Sequence, residues 1–177
     1  RIKLSVANST AIIESLLSLT RMKEPSLAET DLVAVVTDSV ATSRVPERIS
    51  VKRELPQSAV TVHGDPEQLR MAFKNIIKNA VEAIADGGAL TVSINRGSNG
   101  TAEVSFADTG EGIDPENLEA VFQPLFSTKA KGIGFGLSIA RMVLDRHGGR
   151  LSVTSEPGRG TVFTARLPLA VAVDKGE

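Results

Sequence analysis

The sequence predicts an α+β fold, a two-layer α/β sandwich in which a mixed sheet carries helices on one face, with an amphipathic helix at the N-terminus. Three observations carry this expectation. Segments with strand character pair across short glycine-bearing turns, helical patterns fall in the middle and at the ends of the chain, and 177 residues with 41% hydrophobic content suffice to fill the core of one compact domain.

From Ile2 to Met22, Ile2, Val6, Ile13, Leu16 and Leu17 recur at three- and four-residue steps among polar residues, the pattern of an amphipathic helix. Pro25 closes it, because proline lacks the amide donor and pushes its predecessor out of helical geometry. A short linker, Glu24 to Glu29, follows. Thr30 or Asp31 can cap a second helix through Ser43, with Leu32, Val35, Val36 and Val40 as its buried stripe. Arg48 to Leu55 and Ala59 to Val62 alternate loosely, as short half-buried strands do. Asp65-Pro66 starts a long helix through Met71, Phe73, Ile76, Ile77, Val81 and Ile84, which stops at Asp86-Gly87-Gly88. Ala89 to Asn95 and Ala102 to Ala107 form a hairpin, Pro115 opens a short helix through Val121, and Gly136 to His147 is helical. Arg150 to Ser155 and Thr161 to Leu167 make a last hairpin before a frayed tail from residue 170.

Composition excludes several functions. Lysine plus arginine total 20 against 21 acidic residues, so no net field holds a polyanion, and six phenylalanines without tryptophan or tyrosine provide few stacking platforms; nucleic acid is not an expected partner. Cysteine is absent, which removes disulfides, thiolate metal sites and cysteine nucleophiles and suits a reducing compartment. A cytoplasmic location is expected, with the parent free to be anchored in the inner membrane. No run approaches the roughly 18 apolar residues of a membrane span. The chain starts at Arg1 within a helical pattern, so it is expected to be a fragment of something longer.

Three segments carry chemistry. Asn75 and Asn79 are one helical turn apart, with Glu82 further along the same face; amide oxygens can ligate Mg²⁺ that also shares phosphate oxygens, although an ordinary solvated helix face has the same spacing. Asp108-Thr109-Gly110-Glu111-Gly112-Ile113 follows an apolar strand, so a carboxylate able to accept from an adenine amine sits beside glycines that permit close approach; a tight turn capped by Asp108 reads the same way. Lys131-Gly132-Ile133-Gly134-Phe135-Gly136-Leu137 precedes a helix whose start offers amides to an anion, with Lys129 and Lys131 flanking it. It is neither a P-loop nor a dinucleotide fingerprint, and flanking lysines are often only solvated. Gly158, Gly160 and Thr161 add a third glycine turn.

Together and in order, Asn75-Ile76-Ile77-Lys78-Asn79-Ala80, Asp108-Thr109-Gly110-Glu111-Gly112, Phe122 to Lys129, Gly132-Ile133-Gly134-Phe135-Gly136-Leu137 and Gly160-Thr161-Val162-Phe163 resemble the five boxes of two-component sensor histidine kinases, over about Thr30 to Pro168. The resemblance implies the Bergerat ATP-binding fold shared with gyrase, Hsp90 and MutL. It further implies ATP and Mg²⁺, with Asn79 as principal metal ligand, Asn75 beside it, and Asn79 and Lys129 as catalytic residues. Asp108 would recognise the adenine amine, Gly110 and Gly112 would line the base, Ile113, Ile84 and Phe163 would wall it, and Thr161 would reach it directly or through water. Phe122 to Lys131 would form a mobile lid, hinged by Gly132, Gly134 and Gly136, that cradles phosphates together with Lys129, Lys131 and Leu137. Phe135 departs from the family's more usual leucine and should alter lid packing.

Residues 1–24 resemble the second helix of the family's dimerising hairpin, leaving 30–169 as the catalytic domain. The acceptor histidine lies on the first helix in that family, and only His63 and His147 occur here, both in places where the family has structural residues. ATP binding without self-phosphorylation is therefore expected, the γ-phosphate going to a histidine-bearing dimerisation helix of the parent, itself expected to be a homodimer, and then to a response regulator receiver domain. The rival is a Bergerat-fold ATPase, or a non-histidine protein kinase of that fold. It needs a water-activating glutamate near the first asparagine, but Glu82 lies after both asparagines and Ala72 occupies the preceding turn.

Overall fold

The computed structural model describes residues 23–97, 99–127 and 134–170. The helix expected over residues 2–22, the residues Lys129, Lys131 and Gly132, and the tail from residue 171 lie outside the described residues. The element order is β1 (Ala28–Asp31), α1 (Leu32–Ala41), β2 (Ile49–Glu54), β3 (Thr61–Gly64), α2 (Pro66–Ala83), β4 (Gly88–Gly97), β5 (Thr101–Asp108), 3₁₀ turns at Pro115–Asn117 and Ala120–Phe122, α3 (Gly136–Arg146), β6 (Arg150–Glu156) and β7 (Gly160–Pro168).

Five strands form one mixed sheet in the order β2-β4-β5-β7-β6, where β2 runs parallel to β4 and every other neighbour is antiparallel. Its two faces differ sharply, as the twofold alternation of a strand requires. Leu90, Val92 and Ile94 of β4, Val104 and Phe106 of β5, and Phe163, Ala165 and Leu167 of β7 are all buried. The register sets Val92 beside Phe106 and Phe106 beside Phe163, so these side chains share a face. Thr91, Ser93, Ser105 and Thr164 alternate onto the other, half-exposed face. Helix α2 covers the apolar face with Leu69, Ala72, Phe73, Ile76, Ile77 and Ala80, none of them exposed, and Phe73 meets Phe106 with ring centroids 5.6 Å apart. Helix α3 adds Ile139, Ala140, Val143 and Leu144.

The caps follow the sequence. Asp31 caps α1 by accepting from the Val33 amide, and its Oδ1 also accepts from Val60 N, tying the helix start to the segment before β3. Asp65 caps α2: Oδ1 accepts from the amides of Glu67 and Gln68, and Oδ2 accepts from Ser26 N. The Asp65 amide in turn donates to His147 Nε2 at 3.0 Å, while His147 Nδ1 lies 2.7 Å from the Val143 carbonyl. An amide donating to Nε2 places the ring proton on Nδ1, so buried His147 is a neutral tautomer that fastens the end of α3 to the start of α2.

Two local expectations give way. The linker read over Glu24 to Glu29 runs into β1, whose residues Ala28–Asp31 carry no apolar alternation; the strand exists because it pairs antiparallel with β3 and because buried Thr30 donates to the Gly64 carbonyl at 2.8 Å. The short helix read from Pro115 resolves into two separate 3₁₀ turns, since neither has a side-chain cap nor a fully buried stripe to extend it. No helix among the described residues is long and apolar enough to cross a membrane.

Burial acts to raise the Asp65 pKa, but the backbone amides of Ser26, Gln68 and Glu67, which donate to the carboxylate, outweigh it and hold the carboxyl below its ordinary 3.8. A carboxyl with a lowered folded-state pKa contributes stability that is complete above the unfolded value and lost as pH falls through the folded one. Asp65→Ala should therefore cost about 1 kcal/mol in urea unfolding at pH 7. The gap between variant and parent should narrow once the pH drops below 3.8.

Candidate functional site

The site assembles along α2 and at the strand ends beside its C-terminus. Asp108 is the last residue of β5 and pairs in register with Thr161 of β7. Both point to the buried face, 5% and 3% exposed. Asp108 Oδ1 accepts from the Gly110 amide at 2.8 Å, so the carboxylate folds the start of its own loop.

Close backbone packing fixes that loop. A Cβ at Gly110 would stand 2.6 Å from the Ala83 carbonyl, and Glu111 N donates to the same oxygen, so the loop rests on the end of α2. Gly112, at φ +76°, presses on the Glu156 carbonyl, and Gly160, at φ +112°, presses on the Asp108 carbonyl; a side chain at either would overlap the facing backbone. Gly158 N donates to Glu111 O at 2.8 Å, binding the β6–β7 turn to the loop. Arg48 clasps the helix end from the other side, its Nε donating to Ala85 O at 3.0 Å.

Ser155 joins these pieces. Its Oγ accepts from Ile113 N at 2.9 Å, donates to Gly160 O at 2.8 Å and lies 2.9 Å from Thr161 Oγ1. Asp108, Gly110, Ile113 and Thr161 are thus linked by hydrogen bonds and strand pairing, with Gly112 packed against the Glu156 carbonyl beside them. Of the three expected walls, Ile84 and Phe163 are buried with the sheet core and Ile113 is half-exposed.

The asparagines lie on the side of α2 away from the sheet, both half-exposed, because Ile76 and Ile77 between them and Ala80 after them take the core positions. Asn75 Nδ2 donates to Met71 O at 3.1 Å, which leaves its Oδ1 directed off the helix. A Cβ at Gly136 would stand 3.3 Å from that oxygen, so Asn75 faces the first residue of α3. Glu82, on the same face, is exposed and lies 3.9 Å from Lys78 Nζ. A shallow groove lined by Glu67, Arg70, Met71, Lys74, Asn75 and Lys78 continues along α2.

At the start of α3, Gly134 takes φ +77° and packs under the Phe126 carbonyl, while Leu125 N donates to Gly134 O at 3.0 Å. The two ends of the glycine-rich segment are thereby pinned together. Phe135 fills a buried position where the smaller leucine was the usual expectation, Leu137 is buried one step on, and Gly136 stays half-exposed beside Asn75. Lys129, Lys131 and Gly132 belong to the undescribed part of this segment.

Sequence reasoning overlooked Ser155, Arg48 and the cations of the groove. Lys74 and Lys78 each precede an asparagine of the motif, a signal that was legible; Ser155 is an ordinary strand serine whose partners are fixed only by the hairpin, and Arg48 clasps a helix end distant in sequence. Among the described residues there is no group of three or more histidine, cysteine or acidic side chains that could hold a metal ion.

The fold is thus an α+β sandwich with a pair of acceptor-bearing side chains, Asp108 and Thr161, at one end of α2 and the Asn75 amide oxygen facing the start of α3 about 12 Å back along it. Residues 64–171 match the family described as histidine kinase-, DNA gyrase B-, and HSP90-like ATPase. Sensor histidine kinase ZraS of Klebsiella oxytoca is 35% identical over 161 residues, 89% of this chain and 35% of that protein. Sporulation kinase C of Bacillus subtilis (strain 168) is 36% identical over 140 residues, 78% of this chain and 32% of that protein. Among solved structures, the mycobacterial sensor histidine kinase MprB superposes with a TM-score of 0.72 at 29% identity, covering 81% of this chain and 97% of that one. Full-length ShkA in complex with AMPPNP superposes with a TM-score of 0.79 at 26% identity, covering 92% of this chain and 36% of that one.

The chain belongs to the histidine kinase-, DNA gyrase B- and HSP90-like ATPase family. It spans about a third of the length of the curated relatives it matches.

The glycine contacts make a graded prediction. Gly158, at φ +77° with open space around it, should lose about 1–2 kcal/mol on replacement by alanine, the strain of a left-handed backbone. Gly160→Ala adds overlap with the Asp108 carbonyl and should cost roughly 1–3 kcal/mol more, read from urea unfolding midpoints of the two variants.

Proposed function

We propose that this chain is the ATP-binding catalytic domain of a sensor histidine kinase. In this reading it passes the γ-phosphate of ATP to a histidine on a dimerisation helix of its parent, a homodimer, for relay to a response regulator aspartate. The observation that carries the proposal is the convergence of Asp108, Thr161 and the two loop glycines at one end of α2 with Asn75 and Gly136 further back, in a chain about a third identical to named sensor kinases. The catalytic work would take place in the cytoplasm.

The division of labour follows from the side chains. Asp108, an acceptor at a buried strand end, would take the exocyclic amine of the base, with Thr161 beside it and Gly110 and Gly112 letting the backbone close on the ring. Ile113 supplies apolar cover. Asn79, with Asn75, would hold Mg²⁺, and the fit is chemical: hard amide oxygens suit this cation, and Asn75 Oδ1 is turned off its helix toward a glycine that leaves room. When bound, the ion neutralises developing charge on the phosphates. Gly132, Gly134, Gly136 and Leu137 at the start of α3, with Lys129 and Lys131, would cover the phosphates and exclude water. Lys74 and Lys78 add cations on the groove side. Phosphoryl transfer needs little covalent chemistry from the protein, so positioning of this kind is the main contribution.

The ATPase alternative lacks a place for its base. Ala72 is fully buried against the core, so no water-activating side chain stands one turn before Asn75, and Glu82 is exposed beside Lys78.

Calorimetric titration with a non-hydrolysable ATP analogue and Mg²⁺ should show binding by the parent chain. Asp108→Asn should weaken it about 10- to 100-fold, the loss expected for a hydrogen bond to a charged group. Asn79→Ala should remove the gain in affinity that Mg²⁺ gives while leaving metal-free binding in place. A parent chain that binds no nucleotide would overturn the proposal.

A further inference from the structure

We infer that Ser155 is a specificity-determining positioning residue, which fixes the hydrogen-bonding polarity of the pocket wall by dictating which way the Thr161 hydroxyl points. The inference rests on the nucleotide reading of the site and adds to it a residue that would touch no ligand.

A serine hydroxyl has one proton and two lone pairs. The carbonyl of Gly160 can only accept, so the Ser155 proton is committed to it at 2.8 Å. The Ile113 amide can only donate, so it occupies one Ser155 lone pair at 2.9 Å. The remaining close contact, 2.9 Å between Ser155 Oγ and Thr161 Oγ1, then takes its proton from Thr161. Ser155 thereby saturates its own capacity and turns the Thr161 proton toward itself.

What Thr161 offers in other directions is then only lone pairs. Its cross-strand partner is Asp108, and directly opposed residues on one face keep their side chains within about 5 Å of each other. A carboxylate is likewise an acceptor. The two groups at the end of the buried face form an all-acceptor edge. A base edge carrying an amine donor is complementary to it, whereas a 6-oxo edge brings a carbonyl oxygen against acceptors. Had Thr161 been free to rotate, its hydroxyl would donate to that oxygen and accept the substitution. The discrimination between 6-amino and 6-oxo purines therefore depends on a serine on the neighbouring strand β6.

The test compares MgATP with MgITP, which differ at this edge, by calorimetric titration of the full chain and of Ser155→Ala. The parent should prefer ATP, and Ser155→Ala should cut the ATP:ITP preference by about 10-fold, chiefly through tighter ITP binding. In a Thr161→Val background the same serine change should leave the ratio untouched, since the hydroxyl it steers is gone. Ser155→Thr, which keeps the hydroxyl, should retain the parent's ratio. If Ser155→Ala does not fold, Ser155→Cys, with its weak donor, is read by the same ratio. Equal weakening of both nucleotides, or an unchanged ratio, would reduce Ser155 to a structural tie and overturn the inference. A parent chain that binds neither nucleotide overturns the nucleotide reading instead, so the two failures are distinguishable.

Discussion

The single buried face of the five-stranded sheet governs the rest of this molecule. Strands β4, β5 and β7 direct an unbroken apolar layer to one side, and only a long helix lying across it can remove that layer from water. Helix α2 does so with Leu69, Phe73, Ile76 and Ile77, each fully buried. At about 1.5–3 kcal/mol per large apolar side chain, this contact contributes several kcal/mol to stability. It also fixes the rotation of α2. Once those residues face the sheet, Lys74, Asn75, Lys78 and Asn79 must face away from it, which is where a ligand can reach them.

The same contact sets where the loops meet. Because α2 ends at Ala83 above the ends of β5 and β7, its last carbonyl is available to Glu111 N, and the Asp108 loop lands on it. Three chain segments then crowd together, and side chains would not fit at Gly110, Gly112 and Gly160. The glycines are required by backbone proximity rather than by turn geometry alone. At the other end, Asp65 and His147 fasten the start of α2 to the end of α3, so both helices that flank the site are held by one another as well as by the sheet.

The acceptor wall of Asp108 and Thr161 lies on paired strands and is tied by Ser155, and Leu125 N donates to Gly134 O just ahead of α3. Under the nucleotide reading, a wall built on paired strands suits discrimination among bases.

The long helix from Asp65, the two hairpins, the one-faced sheet and the order of the asparagine, aspartate and glycine segments were all legible in the sequence. Each is encoded locally: a cap and a proline, an apolar period, or a glycine at a turn. Strand β1 was not legible, because Ala28–Asp31 has no pattern of its own and is a strand only through its pairing with β3. The 3₁₀ turns after Pro115 followed from the lack of a burial surface that sequence periodicity does not report. Asn75 and Gly136 are distant in the chain, and only the packing of α3 on α2 brings them together. The Ser155 bonds to Ile113, Gly160 and Thr161 depend on the β6–β7 register and on a loop arriving from β5. Sequence by itself determined the long helices, the two hairpins and which residue types line the site; tertiary structure decided strand β1, the 3₁₀ turns and which groups touch, because pairing and hydrogen bonds between distant segments depend on how the layers pack.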